Sequence, residues 1–374
     1  MKRKMYNFSA GPSYISREIM KDICLGLDDS KRSGFSMMEI SHRSNIFMEI
    51  VHELQGGLRN VLDIPENYEV LFFHGGARGM FSAIPLNLFQ RNEIVDYLIG
   101  GYWSNYAYRE GLKYCSARSV EIIKESRNDI VSLLPVKKWD LSNKSKYVHY
   151  CHNETVEGLR AHIEDIDDIP KDKVIIADFS SSILSEPIDI SKFGIVYASF
   201  QKNMGIAGTT VVIIRSNLIE KPRHDSIPSI LDFSVQLKNS SLYNTPSTFS
   251  WYVSTLIIRW IRKNGGVRKI EQMNRKKAEL LYNTIDQSQL YINSIDMKYR
   301  SMMNVTFRTK STKIDEKFVE FSEKSGLLFL RGHRETKGMR ASIYNSMPYE
   351  GVKALVDFMK YFEHQYFFKD ISFF

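Results

Sequence analysis

One stretch limits what this chain can fold into more than any other: VIIADFSSSILSEPIDISKFGIVYASFQKNMGIAG, from Val174 to Gly208. An apolar run, Val174 to Ala177, ends in Asp178; after a polar connection a second run, Ile195 to Ala198, leads into Gln201, Lys202 and Asn203. Both runs are short, β-branched and bounded by chain breakers, as expected of strands buried in a parallel or mixed sheet. In open α/β sheets, ligands bind beyond the carboxyl ends of strands. An acid at one such end and a lysine at another make a candidate site. The pair suits pyridoxal phosphate chemistry, in which a lysine bonds the cofactor aldehyde and a carboxylate keeps the pyridine nitrogen protonated. The plainer alternative is a turn-capping Asp178 and a solvated Lys202.

Other stretches bear on that choice. In YEVLFFHGGARGMF an apolar strand, Val70 to Phe73, meets Gly75 and Gly76 and then a helix, so the amides of Ala77 and Arg78 can face a phosphate. The spacing matches neither a Walker loop nor the dinucleotide GxGxxG pattern. The Arg78 side chain can add a charge-assisted bond to a second anion. Trp103 follows a Gly-Gly turn, where an indole can stack on a flat ring or simply fill a core. A strand over Tyr147 to Cys151 leads to Thr155, a hydroxyl donor or a turn residue, and Thr209 to Arg215 reads as a further buried strand. Asn244 and Thr245 sit on a loop stiffened by Pro246, a plausible phosphate clasp.

Basic residues gather in two places. His42 and Arg43 precede a long amphipathic helix with Ile46, Ile50, Val51, Leu54 and Leu58 on one face. Cations gain nothing from a helix N-terminus, so an anion binding there explains them better than the dipole does. His333, Arg334 and Arg340 surround a C-terminal strand and suit carboxylate or phosphate.

The 374 residues suffice for two domains. Gly265 and Gly266 break a helix, and we place the boundary there: residues 1–266 form an N-terminal arm and large domain, residues 267–374 a small α/β domain. The net charge of +8 comes from scattered basic residues, and the Lys2 to Lys4 run is too short for a tail, which argues against nucleic acid. Three cysteines without CxxC spacing argue against a disulfide framework or a zinc site, and no HExxH occurs. No signal-like apolar segment and no run of ~18 apolar residues is present, so a cytoplasmic location is expected and no membrane partner.

Taken together, NFSAGP from Asn7, SMMEISHRS, FFHGGARGMF, CHNET, ADFSSSILSEPIDISKFG, SFQKN, YNTPSTF, RSMMNV and GHRETKGMRASIYNSMPYEGV to Val352 resemble the phosphoserine aminotransferase family over nearly the whole chain. The resemblance implies a fold type I, pyridoxal-phosphate-dependent transferase: a large domain with a mostly parallel mixed sheet plus a smaller C-terminal α/β domain. It implies that Lys202 is the Schiff-base lysine, that Asp178 partners the pyridine nitrogen, that Trp103 stacks on the ring and that Thr155 bonds its hydroxyl. The cofactor phosphate is expected among the amides of Ala77 and Arg78, Gln201, and Asn244 with Thr245 reaching from the second subunit of a homodimer. His42, Arg43, Arg78, His333 and Arg334 match positions around the substrate phosphate, and Arg340 the position that takes its α-carboxylate. The implied reaction is transamination of 3-phosphohydroxypyruvate with glutamate, extending to the phosphorylated keto acid of the vitamin B6 route.

The chain departs from the pattern at Met204 and Ile206, at Glu335, Thr336 and Lys337, at His152 and at Glu186. Lys337 replaces a glycine and is expected to strain its turn. The competing readings are another class V aminotransferase with a different small keto acid, a desulfurase, and a non-catalytic scaffold descendant. A desulfurase needs a mobile nucleophilic cysteine, and no cysteine here lies in a Gly/Ser-rich loop.

Overall fold

The computed structural model describes residues 4–28, 34–126, 128–219, 224 and 226–368. Seven strands form its central sheet: β1 (Tyr68–His74), β2 (Ile94–Ile99), β3 (Ser116–Glu121), β4 (Tyr147–Cys151), β5 (Val174–Asp178), β6 (Ile195–Ser199) and β7 (Thr209–Arg215). Their spatial order is β1-β7-β6-β5-β4-β2-β3. β7 runs antiparallel to both β6 and β1, and the remaining pairs are parallel. The two runs that open the sequence argument lie side by side in the middle, with Ala177 opposite Val196 and Asp178 opposite Tyr197. All ten of their residues are buried. Each fully buried Val or Ile contributes about 1.5–3 kcal/mol, which is why β-branched residues fill these strands.

Helices cover both faces, as a mostly parallel sheet requires. On one side α1 (Arg17–Leu27), α2 (Asn45–Val61) and α6 (Thr248–Lys263) bring Ile19, Leu54, Leu58, Trp251 and Ile258 into one core with Phe72 and Phe200. On the other, α3 (Ala77–Leu88), α4 (Tyr102–Gly111) and α5 (Phe233–Lys238) contribute Met80, Ile84, Ala107 and Phe233 to a core with Tyr97, Ile176 and Val212.

A separate apolar cluster joins Leu281 and Ile285 of α7 (Gly266–Gln287), Phe318 of α8 (Thr312–Lys324), and Leu355 and Met359 of α9 (Tyr349–Phe368). They pack on an antiparallel pair, Asn304–Phe307 with Met339–Ser342. The N-terminal arm, which the sequence predicts to be irregular, is anchored here: Tyr6 and Phe8 are buried in this cluster, and Tyr6–Asn7 pairs parallel with Leu327–Leu328. α9 continues to Phe368, with Phe362 and Gln365 still buried.

Candidate active site

The carboxyl ends of β4, β5 and β6 and the Gly75-Gly76 turn after β1 meet at one cavity of ≈ 330 Å³. Arg78, Trp103, Thr155, Asp178, Gln201 and Lys202 line it. Asp178 ends β5 and is 5% exposed. Its Oδ1 accepts from the Ser180 amide at 2.8 Å, a local turn bond. Burial pushes the carboxyl pKa up, while the Ser180 hydrogen bonds and the Lys202 charge pull it back. Lys202 Nζ donates to Thr155 Oγ1 at 2.8 Å and lies 6.0 Å from the Trp103 ring centre. Four residues from three stretches of the chain thus share one hollow.

The turn that carries Lys202 is held from outside the sheet. The Ser13 amide donates to the Gln201 carbonyl at 2.9 Å, and the Ser13 hydroxyl to the Lys202 carbonyl at 2.6 Å. Gly11, at φ 145°, passes so close that a Cβ there would lie 3.6 Å from both the Gln201 and Lys202 side chains. On the far side the Asn345 amide donates to Asn203 Oδ1 at 3.0 Å. The sequence reading missed both, although Asn345 lies in a motif it quoted and Ser13 directly follows NFSAGP.

Trp103 is placed by a device also missed. Its helix, α4, starts at Gly101, which has no side chain to cap the first amides. Two carboxylates supply the cap: Glu154 accepts from the Trp103 and Ser104 amides, each at 2.9 Å, and Glu157 from the Tyr102 amide at 2.9 Å. Acids at a helix N-terminus complement its dipole. Burial raises both pKa values, that of Glu157 to about 8, with the neighbouring Glu154 charge adding to the effect and Arg340 opposing it. Bare Gly101 ahead of a helix, with two acids three apart in NETVEG, was the available signal.

At the phosphate cup, Gly76, Ala77 and Arg78 line the cavity as expected. The Ala77 amide donates to Ser199 Oγ at 2.7 Å, so that hydroxyl stands between it and the hollow. The Arg78 guanidinium lies over the rings of Trp103 and Tyr106, at 5.3 and 4.9 Å. Arg340 reaches the Thr155 carbonyl with Nη1 at 3.4 Å, and its buried Nε has no hydrogen-bond partner among the described residues. The His333 ring packs 4.7 Å from that of Tyr102, and burial with the Arg340 and Arg334 charges pushes its pKa down. The Arg334 side chain is 80% exposed.

Seven expected residues do not line this cavity: His333, Arg334 and Arg340, and also His42, Arg43, Asn244 and Thr245. His42 and Arg43 sit in the turn before α2; Asn244 bonds His74 Nε2 at 3.0 Å, and Thr245 is exposed. The departures have visible consequences. Lys337 adopts φ 57°, the left-handed region its glycine counterpart would favour. His152 stacks on Phe179 at 4.3 Å and faces Glu186, which also pairs with Arg160 at 2.9 Å, so two of the departures neighbour each other. Among the described residues no group of three metal-ligating side chains occurs, and no helix is long and apolar enough to cross a membrane.

The family profile described as "Aminotransferase class-V" matches residues 5–355. Phosphoserine aminotransferase of Buchnera aphidicola subsp. Acyrthosiphon pisum (strain Tuc7) is 47% identical over 362 residues, covering 97% of this chain and 99% of the relative. Among solved structures, phosphoserine aminotransferase from Bacillus circulans subsp. alkalophilus superposes with a TM-score of 0.91 at 38% identity, covering 97% of this chain and 99% of the other. A PLP-bound phosphoserine aminotransferase from Trichomonas vaginalis gives 0.89 at 37% identity, over 96% of this chain and all of that one. The chain belongs to the class V aminotransferases, and within them to the phosphoserine aminotransferase family.

Proposed function

We propose that this chain moves an amino group between glutamate and 3-phosphohydroxypyruvate, giving O-phospho-L-serine and 2-oxoglutarate, with pyridoxal 5′-phosphate as its cofactor. The observation that carries the reading is the convergence of Lys202, Thr155, Asp178 and Trp103 on one cavity beside Arg78 and Arg340. The residues fit the cofactor. A primary amine, a buried carboxylate and an indole border a hollow of suitable size, and the buried Trp103 Nε1 has no hydrogen-bond partner among the described residues.

When bound, the cofactor supplies an electron sink for negative charge at the substrate Cα. Lys202 would hold the cofactor, and its Nζ, when free, would take up the proton from the substrate Cα. Thr155 Oγ1 holds Nζ on the cavity side of the turn. Asp178, buried and pushed toward its neutral form when unpaired, favours a cation against it and so holds a proton on the ring nitrogen. Trp103 and its capped helix fix the plane and exclude water from one face. Arg340 takes the α-carboxylate, and Arg78, His333 and Arg334 the phosphate.

His42, Arg43, Asn244 and Thr245 serve the neighbouring site of a homodimer in this reading; their place outside their own chain's cavity supports it. The small domain follows Gly266, where the left-handed Gly265, φ 89°, turns the chain between α6 and α7. A cytoplasmic setting and the 3-hydroxy-2-oxo-4-phosphooxybutanoate reaction of vitamin B6 synthesis complete the proposal, since that keto acid also pairs a phosphate with a carboxylate. The test is a half-reaction assay on the cofactor-loaded enzyme with phosphoserine, serine and alanine. Phosphoserine is expected to react fastest by at least about tenfold, given charge-assisted bonds to its phosphate. Equal rates with all three would overturn the phosphate assignment.

A further inference from the structure

Lys277 lies midway along α7 with 2% of its surface exposed. Lysines are rarely buried without a carboxylate, yet among the described residues no acid stands against this one. Its Nζ instead donates to three backbone carbonyls, those of Ile343 at 3.1 Å, Tyr344 at 2.8 Å and Met347 at 3.1 Å. Three acceptors match the three N–H donors of an ammonium; a neutral amine has only two. Burial pulls the Lys277 pKa down to about 7, and the three carbonyl dipoles favour the charged form against that pull.

The gripped segment has a definite place. It begins directly after the strand Met339–Ser342, which carries Arg340. It contains Asn345, whose amide holds Asn203 beside Lys202 and whose side chain takes a 2.8 Å bond from Asn274, one turn before Lys277 on the same helix. Arg340 itself is weakly held by its own contacts: one 3.4 Å bond and an Nε with no partner among the described residues. Its position is therefore set by the backbone of its strand, and the exit of that strand is fixed from α7.

We propose that Lys277 is a positioning residue for substrate binding, acting through Arg340 by clamping the chain between Arg340 and Asn345. The inference rests on Arg340 being the carboxylate-binding arginine of the reading above. A neutral side chain at 277 leaves the Ile343 and Met347 carbonyls short of a donor and the Tyr344 carbonyl with the Met347 amide alone, and the strand exit then relaxes toward other partners.

The experiment is a double-mutant cycle on the cofactor-loaded enzyme. Calorimetry measures the Kd of glutarate, a dicarboxylate with no amino group to transfer, for wild type, Lys277→Gln, Arg340→Ala and the double variant. Thermal unfolding is recorded alongside. Lys277→Gln is expected to weaken glutarate at least about fivefold in the wild-type background and to have little effect once Arg340 is gone, the mark of coupled residues. An equal weakening in both backgrounds, or lowered unfolding temperature with unchanged Kd, overturns the proposal and leaves Lys277 structural. If Arg340→Ala alone does not weaken glutarate, the carboxylate assignment fails instead. Should Lys277→Gln not fold, Lys277→Arg, which keeps the charge but enlarges the head, goes through the same cycle: coupling to Arg340 supports the clamp, and equal weakening in both backgrounds overturns it.

Discussion

The floor of the cavity and its basic rim are built differently. On the floor, Asp178 and Thr155 are 5% and 3% exposed, and each functional group has a partner: Ser180 for Asp178, Thr155 for Lys202, Ser13 for the backbone carbonyls of Gln201 and Lys202, and Asn345 for the Asn203 side chain. On the rim, Arg334 is exposed and pairs loosely with Glu335 at 3.5 Å, His333 leans on one aromatic ring, and His42 and Arg43 are in the turn before α2. Chemistry on a bound cofactor needs groups fixed to a fraction of an ångström, and burial with mutual hydrogen bonds fixes them before any ligand arrives. Recognition of a doubly charged phosphate asks for cations that water can reach until the substrate displaces it, and turns suffice to present them.

The largest effect expected from this contrast falls on the floor. If Lys202 is the cofactor's anchor and the group that moves the Cα proton, as proposed, Lys202→Ala removes both, and kcat should fall by about 10³-fold or more. Borohydride treatment followed by mass spectrometry should no longer find the cofactor fixed to the chain. Retained turnover would break the assignment of the floor. On the rim, the double variant His333→Ala, Arg334→Ala should leave kcat with alanine unchanged and raise KM for phosphoserine by about tenfold, a modest figure because Arg334 is largely solvated. The penalty should shrink as salt rises from low to physiological strength. A fall in kcat with all substrates would mean that rim and floor are not separable.

The same contrast governs what the sequence made legible. Strand β4 and strand β7 lie residue for residue where their apolar runs predict, and Asp178, Thr155, Trp103 and Lys202 meet as expected. Buried strands and their ends are written in local pattern, because burial selects β-branched residues and a strand end fixes where its last side chain points. Glu154 and Glu157 were not legible as helix caps, since they act on a helix about 50 positions earlier in the chain. Nor was Lys277: a lysine in the run NRKKAELL reads as solvent-facing, and only the packed chain shows that its partners are carbonyls at Ile343, Tyr344 and Met347. Periodicity gives the face of a helix; it says nothing about what lies opposite.

Glu157 ties the two regions together, because α4 presents Trp103 to the floor and Tyr102 to His333. Its folded pKa of about 8 stands above the ordinary carboxylate value, so the folded state binds a proton that the unfolded chain releases near 4.5. That stabilisation is complete below about pH 4.5 and is lost as pH rises through about 8. Denaturant midpoints of the wild type should therefore drop between about pH 5 and pH 9. Glu157→Gln keeps an acceptor for the Tyr102 amide, does not titrate, and should flatten that drop by about 1–3 kcal/mol, the cost of an unsatisfied buried group. Identical slopes for both proteins would show that Glu157 is ionised throughout.

The smallest effect belongs to the rim turn. Lys337 holds φ 57° while its amide donates to the His333 carbonyl at 2.7 Å, and its own carbonyl sits where a Cβ on Gly332 would come within 2.1 Å. The turn is thus closed on both strands, and the left-handed residue cannot relax without opening it. A left-handed non-glycine residue costs about 1–2 kcal/mol, and replacing it with glycine returns part of that gain as extra freedom of the unfolded chain, about 0.4–1 kcal/mol. Lys337→Gly should therefore stabilise the protein by up to about 1 kcal/mol, a rise of about 1 °C in Tm for a chain of 374 residues. If the exposed rim tolerates the strain because it needs no fixed geometry, KM for phosphoserine should change by less than about threefold in the same variant. A larger improvement would mean that the turn is held out of register by Lys337, and that the rim, like the floor, depends on pre-set geometry.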